Sequence, residues 1–117
     1  MSEDVLIVIN DAPYGTEKAY NGLRLAIALQ ARKNNVRLFL MADAVSAGIP
    51  GQETPPGYYN AGEMLERVLA KGGMVAACGS CMKARGLRVE ELIKGIEQGS
   101  MAMLSEWTEK CSKVHSF

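Results

Sequence analysis

The run Val5-Leu6-Ile7-Val8-Ile9 constrains this chain more than any other feature: five consecutive apolar residues, closed by Asn10-Asp11-Ala12-Pro13-Tyr14-Gly15. A strand with one face in water alternates apolar and polar side chains, whereas an unbroken apolar run is covered on both faces. The fold it demands is therefore a parallel sheet with helices packed above and below. The run is far short of the roughly 20 apolar residues needed to cross a membrane. Its acidic approach, Met1-Ser2-Glu3-Asp4, lacks the basic start of a secretory leader, so the expected compartment is the cytoplasm.

The pattern continues along the chain. Thr16 predicts a helix cap with Glu17 in the first turn. Residues 19–32 favour helix, with Tyr20, Leu23, Ile27 and Ala31 on one stripe. Leu25 and Leu29 fall outside that stripe, so a second face of this helix is expected to be buried against another subunit. Asn34-Asn35 breaks the helix, and residues 36–41 read as a second strand. Pro50, Gly51, Pro55, Pro56 and Gly57 make residues 46–60 a long loop of functional or interface character. Residues 62–71 predict a helix with Met64, Leu65, Val68 and Leu69 on its apolar side, ended by Gly72-Gly73. Residues 74–77 form a third strand, 82–85 one helical turn stopped by Gly86, 89–94 a short helix and 96–99 a fourth strand. A helix over 101–110 turns Met103, Leu104 and Trp107 inward, and 113–117 is the last strand. The expected fold class is α/β, a three-layer α/β/α sandwich on a mostly parallel five-stranded sheet, with residues 1–117 as one domain.

Charge narrows the partners. Thirteen basic side chains balance 13 acidic ones, with no basic stripe, which argues against nucleic acid and anionic membrane and eases association with other protein chains. Neither GxxxxGK[ST] nor GxGxxG occurs, so no nucleotide cofactor is expected. Asp11, Glu17 and Asp43 come near strand ends, where acids are mostly solvated or capping.

The chemistry lies in Cys78-Gly79-Ser80-Cys81, directly after the third strand. Ligands of open α/β sheets gather beyond the carboxyl ends of the strands, so this segment is expected to share an edge with loop 10–15 and the segment after Met41. A thiol there, at the start of a helix, meets backbone N–H groups that favour the thiolate, and Lys83 and Arg85 bring positive charge nearby, with Arg85 the candidate thiolate stabiliser. The competing reading makes Cys78 and Cys81 small apolar fillers. The spacing also fits a thioredoxin-like disulfide exchanger, but that fold needs a proline facing the thiols and none follows Pro56. Cys111-x3-His115 adds two possible zinc ligands, yet an extended tail separates them by roughly 13 Å, too far for one ion, so no metal is expected. Cys111 then reads as filler and His115 as a packed or half-exposed side chain.

Several ordered stretches resemble the DsrE/DsrF-like family of small sulfur-relay proteins, and its YchN-like branch most closely. They are Asn10-Asp11-Ala12-Pro13-Tyr14-Gly15, Leu23-Arg24-Leu25-Ala26-Ile27-Ala28-Leu29 and Leu38-Phe39-Leu40-Met41-Ala42-Asp43-Ala44-Val45. Ala47-Gly48, Gly51-Gln52, Gly57-Tyr58-Tyr59-Asn60 and Met64-Leu65 continue the pattern, followed by Cys78, Arg85-Gly86 and Trp107-Thr108. The resemblance implies one domain of that family and a homo-oligomer, a trimer or hexamer. It further implies a sulfur carrier that holds sulfane sulfur as a persulfide on Cys78, eight residues before Gly86, and passes it between a protein donor and a protein acceptor. Such a protein is a sulfurtransferase-type carrier if active, with Cys81 as a possible resolving thiol. The alternative is an oligomeric binding module of the same fold whose thiols are structural or redox-protective.

Overall fold

Every apolar run read as a strand forms one in the computed structural model, which describes residues 3–117. The elements are β1 (Asp4–Ile9), α1 (Lys18–Ala31), β2 (Asn35–Leu40), α2 (Ala61–Ala70), β3 (Met74–Cys78), α3 (Gly79–Ala84), β4 (Ile96–Gly99), α4 (Met101–Lys110) and β5 (Lys113–Ser116). All neighbouring strands pair in parallel, in the order β4-β3-β2-β1-β5. Val5, Leu6, Ile7 and Ile9 are buried, as an unbroken apolar strand between two helical layers requires.

The topology follows from right-handed crossovers. From β1 to β4 the chain steps always in one direction, which puts the connecting helices on one face. There α1 and α2 lie side by side, and Gln30 Nε2 donates to the Val68 carbonyl at 2.9 Å. The last connection returns across the sheet, so α4 covers the other face, where Trp107 meets Phe39 edge-on at 6.0 Å and the Arg37 guanidinium lies over the indole. Between β1 and β5, where the direction reverses, Asn10 Nδ2 closes the edge by donating to Ser116 Oγ and the Phe117 carbonyl, both at 3.1 Å.

Helix faces depart from the expected stripes. In α1 the buried residues are Ala19, Gly22, Leu23 and Ala26, while Tyr20 and Ile27 are half-buried and Ala31 is exposed. Small residues win the sheet-facing side because the helix lies close to β1: a Cβ on Gly22 would stand 3.1 Å from Ile9. Thr16 meets the start of α1 as expected, its hydroxyl oxygen accepting from Lys18 N–H at 3.3 Å, although it stands one residue before the cap position. Glu17 takes the cap position without a side-chain bond, and the Thr16 hydroxyl donates to Asp11 at 2.9 Å. Of the three residues expected to point inward from α4, only Trp107 is buried; Met103 and Leu104 are half-buried, since one helix alone spans that face.

The segment 46–60 is more ordered than a loop. It continues a 3-10 helix, Ala42–Gly48, whose Ala44, Val45, Ala47 and Gly48 are buried. Beyond it Gln52 ties the segment together, donating to the carbonyls of Ala47 and Ile49, each at 2.8 Å. Asn60 then caps α2, its side chain accepting from Glu63 N–H at 3.0 Å. The short helix expected over 89–94 reduces to a single 3-10 turn, Val89–Glu91.

Candidate functional site

The parallel sheet carries the turn after β1, the 3-10 helix after β2 and the start of α3 to one edge, the carboxyl ends of the strands. Cys78 is the last residue of β3, opposite Gly99 of β4, and the residue from which α3 springs. Gly79 fits closely there: a Cβ would stand 3.2 Å from both the Gln98 side chain and the Gly99 carbonyl oxygen, tighter than an ordinary contact. A short strand thus ends in a thiol that immediately meets helical N–H groups.

Cys78 Sγ accepts from Cys81 N–H at 3.4 Å, and the Ser80 hydroxyl lies 3.4 Å away. Burial pushes the Cys78 thiol up, but hydrogen bonds from the Cys81 thiol, the Ser80 hydroxyl and the N–H groups of Cys81 and Ser80 outweigh it. The net direction is down from the ordinary cysteine value. With only six residues in α3, individual donors supply this stabilisation rather than a long helix dipole. Cys81 moves the other way. Burial and its hydrogen bond to Cys78 raise it, against the opposing effects of Ala42 N–H, which donates to Cys81 Sγ at 3.2 Å, and of Arg85. Two cysteines on one turn are therefore unequal: the Cys78 thiol is shifted towards the thiolate and the Cys81 thiol away from it.

Arg85 lies beside the pair but engages other groups. Its Nε and Nη2 donate to one Asp43 carboxylate oxygen at 3.0 and 2.8 Å, and its Nη1 donates to the Cys81 carbonyl at 3.0 Å. Lys83 is exposed on the same helix. Asp43, which reads in the sequence as a solvated acid, is the partner that orients Arg85, and Ser80, which reads as a small neighbour, lies within reach of the nucleophilic sulfur. Ala42 contributes only its backbone N–H, for which no side chain could have given a signal.

Other candidates lie elsewhere. Cys111 is buried after α4, at the amino edge of the sheet, and burial raises its thiol. His115 is exposed on β5, which β2 and β1 separate from β3. Among the described residues, no three or more His, Cys, Asp or Glu side chains gather in a group suited to a metal ion. No helix among them is long and apolar enough to cross a membrane. Tyr59 stacks on Tyr20 of α1 at 4.2 Å and on Tyr58 at 4.7 Å, and its hydroxyl donates to the Pro13 carbonyl at 2.7 Å.

Comparison with known proteins agrees with the fold. A model described as the DsrE/DsrF-like family matches residues 3–117. Protein YchN of Escherichia coli (strain K12) is 44% identical over 117 residues, covering 98% of this chain and 99% of its own. The crystal structure of the E. coli ychN protein superposes with a TM-score of 0.92 over 98% of this chain and 99% of that one. Uncharacterized protein MK0008 of Methanopyrus kandleri is 40% identical over 113 residues, covering 97% of this chain and 93% of its own. Protein TusC homolog of Aliivibrio fischeri is 25% identical over 114 residues, covering 94% of this chain and 95% of its own.

Proposed function

Because the chain belongs to the DsrE/DsrF-like family, we propose that it is a sulfur carrier whose working group is Cys78. The proposal rests on one observation: of the three cysteines, only Cys78 combines a place at the carboxyl edge with a thiol held down by converging hydrogen bonds. In the forward step the Cys78 thiolate attacks the outer sulfur of a donor protein's cysteine persulfide. The donor's S–S bond breaks, the donor leaves as a thiolate, and a persulfide forms on Cys78. An acceptor thiolate then takes the outer sulfur and Cys78 leaves as a thiolate again, with no net oxidation and no cofactor. If the Cys81 thiolate attacks the inner sulfur instead, a Cys78–Cys81 disulfide forms and hydrosulfide departs. The disulfide is the oxidised product and the sulfide the reduced one.

The carrier works in a reducing compartment, the cytoplasm, and assembles with copies of itself through the half-exposed face of α1. To test sulfur carriage, the protein is incubated with a cysteine desulfurase and cysteine and then weighed intact. Wild type and Cys111→Ser should gain one sulfur atom, and Cys78→Ser should not. Failure of wild type to gain sulfur, under conditions that load a known carrier, overturns the proposal.

A second reading, the oligomeric binding module with structural thiols, draws on the coverage of Cys78, of which 8% is exposed. It requires Cys78 to alkylate no faster than an ordinary thiol and Cys78→Ser to leave partner binding unchanged.

A further inference from the structure

A closed ring of contacts ties the second thiol to the turn that follows β2. Ala42 N–H donates to Cys81 Sγ at 3.2 Å. The next residue, Asp43, accepts both Arg85 Nε and Nη2 on one oxygen, at 3.0 and 2.8 Å. Arg85 Nη1 closes the ring on the Cys81 carbonyl at 3.0 Å. Ala42 adopts φ +49° to take part, a left-handed conformation that costs a non-glycine residue roughly 1–2 kcal/mol. Such strain persists where the surroundings over-determine it, and it clusters at functional sites.

The ring has a directional consequence. With Ala42 N–H on a lone pair of Cys81 Sγ, the Cys81 side chain is fixed on the same turn whose backbone N–H donates to Cys78 Sγ at 3.4 Å. We infer that Asp43 and Arg85 are positioning residues for this pair: their contact clamps the turn after β2 onto α3, so that the Cys81 side chain is held in place beside Cys78. The inference rests on the carrier reading for its purpose, since a thiolate kept ready is what sulfur capture needs.

The contact itself adds little stability. Arg85 and Asp43 side chains are 35% and 68% exposed, and ion pairs at such sites are worth about 0–1 kcal/mol. Geometry is the contribution. The charged and titratable groups facing the pair are Arg85 at the end of α3, Asp43 reaching it through Arg85 from the turn after β2, and the two thiols themselves.

The test uses the unloaded protein, so its outcome is separable from whether the protein carries sulfur. Alkylation of Cys78 by iodoacetamide, located by peptide mass, is followed against pH in wild type, Asp43→Asn, Arg85→Gln and Arg85→Lys, each alone and with Cys81→Ala. The three single variants should move the Cys78 midpoint upward by about half a pH unit. Arg85→Lys belongs with the others because an ammonium keeps the charge but cannot make three hydrogen bonds in a fork. In the Cys81→Ala background the same substitutions should produce no further shift, since the group they position is gone. A wild-type midpoint in Arg85→Lys would mean that charge alone matters and overturns the inference. So would an undiminished shift in the Cys81→Ala background. The isosteric Asp43→Asn keeps the test decisive if an Arg85 variant folds poorly.

Discussion

At the scale of single residues, the two thiols of one helical turn have opposite tasks because their donors differ. Cys78 Sγ has the Ser80 hydroxyl and Cys81 N–H as neighbours and its thiol is held down by such hydrogen bonds, whereas burial holds the Cys81 thiol up. The stability linkages oppose each other as well. A thiol lowered in the fold contributes stability that is present above its unfolded value and lost as pH falls through the folded value. A raised thiol contributes below its unfolded value and loses it as pH rises through the folded one. The two thiols therefore pull the pH dependence of folding stability in opposite senses, and reaction rate is the sharper readout. Alkylation of Cys78 should titrate with a midpoint below that of an ordinary cysteine. Cys81→Ala should raise the midpoint by about one unit, the worth of a hydrogen bond to a charged group after allowance for partial exposure. Ser80→Ala should raise it by less. An unchanged midpoint in Cys81→Ala would mean that the second thiol does not support the first.

At the scale of elements, legibility in the sequence tracked side-chain size. Three apolar stretches, 5–9, 36–41 and 74–77, announced the three central strands because a run covered on both faces carries a strong signal, and the thiol segment could be placed at the end of β3 for the same reason. The edge strands β4 and β5 are largely polar. The buried stripe of α1 was misplaced since Ala19, Gly22 and Ala26 carry little hydrophobic signal yet lie nearest the sheet. The 3-10 helix Ala42–Gly48 hid for a similar reason, being built from alanines, Val45 and Gly48. Gly99 shows how strictly such small residues are required. A Cβ there would stand 2.7 Å from the ring of Phe39, which is 1% exposed and has no room to retreat. Gly99→Ala should therefore destabilise the fold by about 1–3 kcal/mol, the usual cost of overpacking, measured by chemical denaturation. Because Gly99 pairs with Cys78, the same variant should also slow Cys78 alkylation or change its midpoint. Wild-type stability would show that β4 can shift away from Phe39 at no cost.

At the scale of the whole molecule, what the sequence could not display is what only folding brings together. Arg85 and Asp43 stand 42 positions apart, and nothing local to either marks the other as its partner. The same limit applies to assembly, which concerns surfaces rather than segments. On α1, Leu25, Ile27 and Leu29 remain half-buried in the single chain, beside an open groove of about 760 Å³ shared with α2 and walled by Tyr20, Tyr58 and Tyr59. With 13 basic and 13 acidic side chains, copies of the chain carry no net repulsion to keep such surfaces apart. Light scattering should find the trimer or hexamer that the family resemblance implies. Ala28 is exposed on α1 within this groove, so Ala28→Glu removes no packing from the single chain while placing a charge where a second copy would rest. The variant should keep wild-type circular dichroism and shift to a smaller species. A monomer in wild type would refute the self-assembly reading, and a wild-type mass in Ala28→Glu would move the contact away from α1.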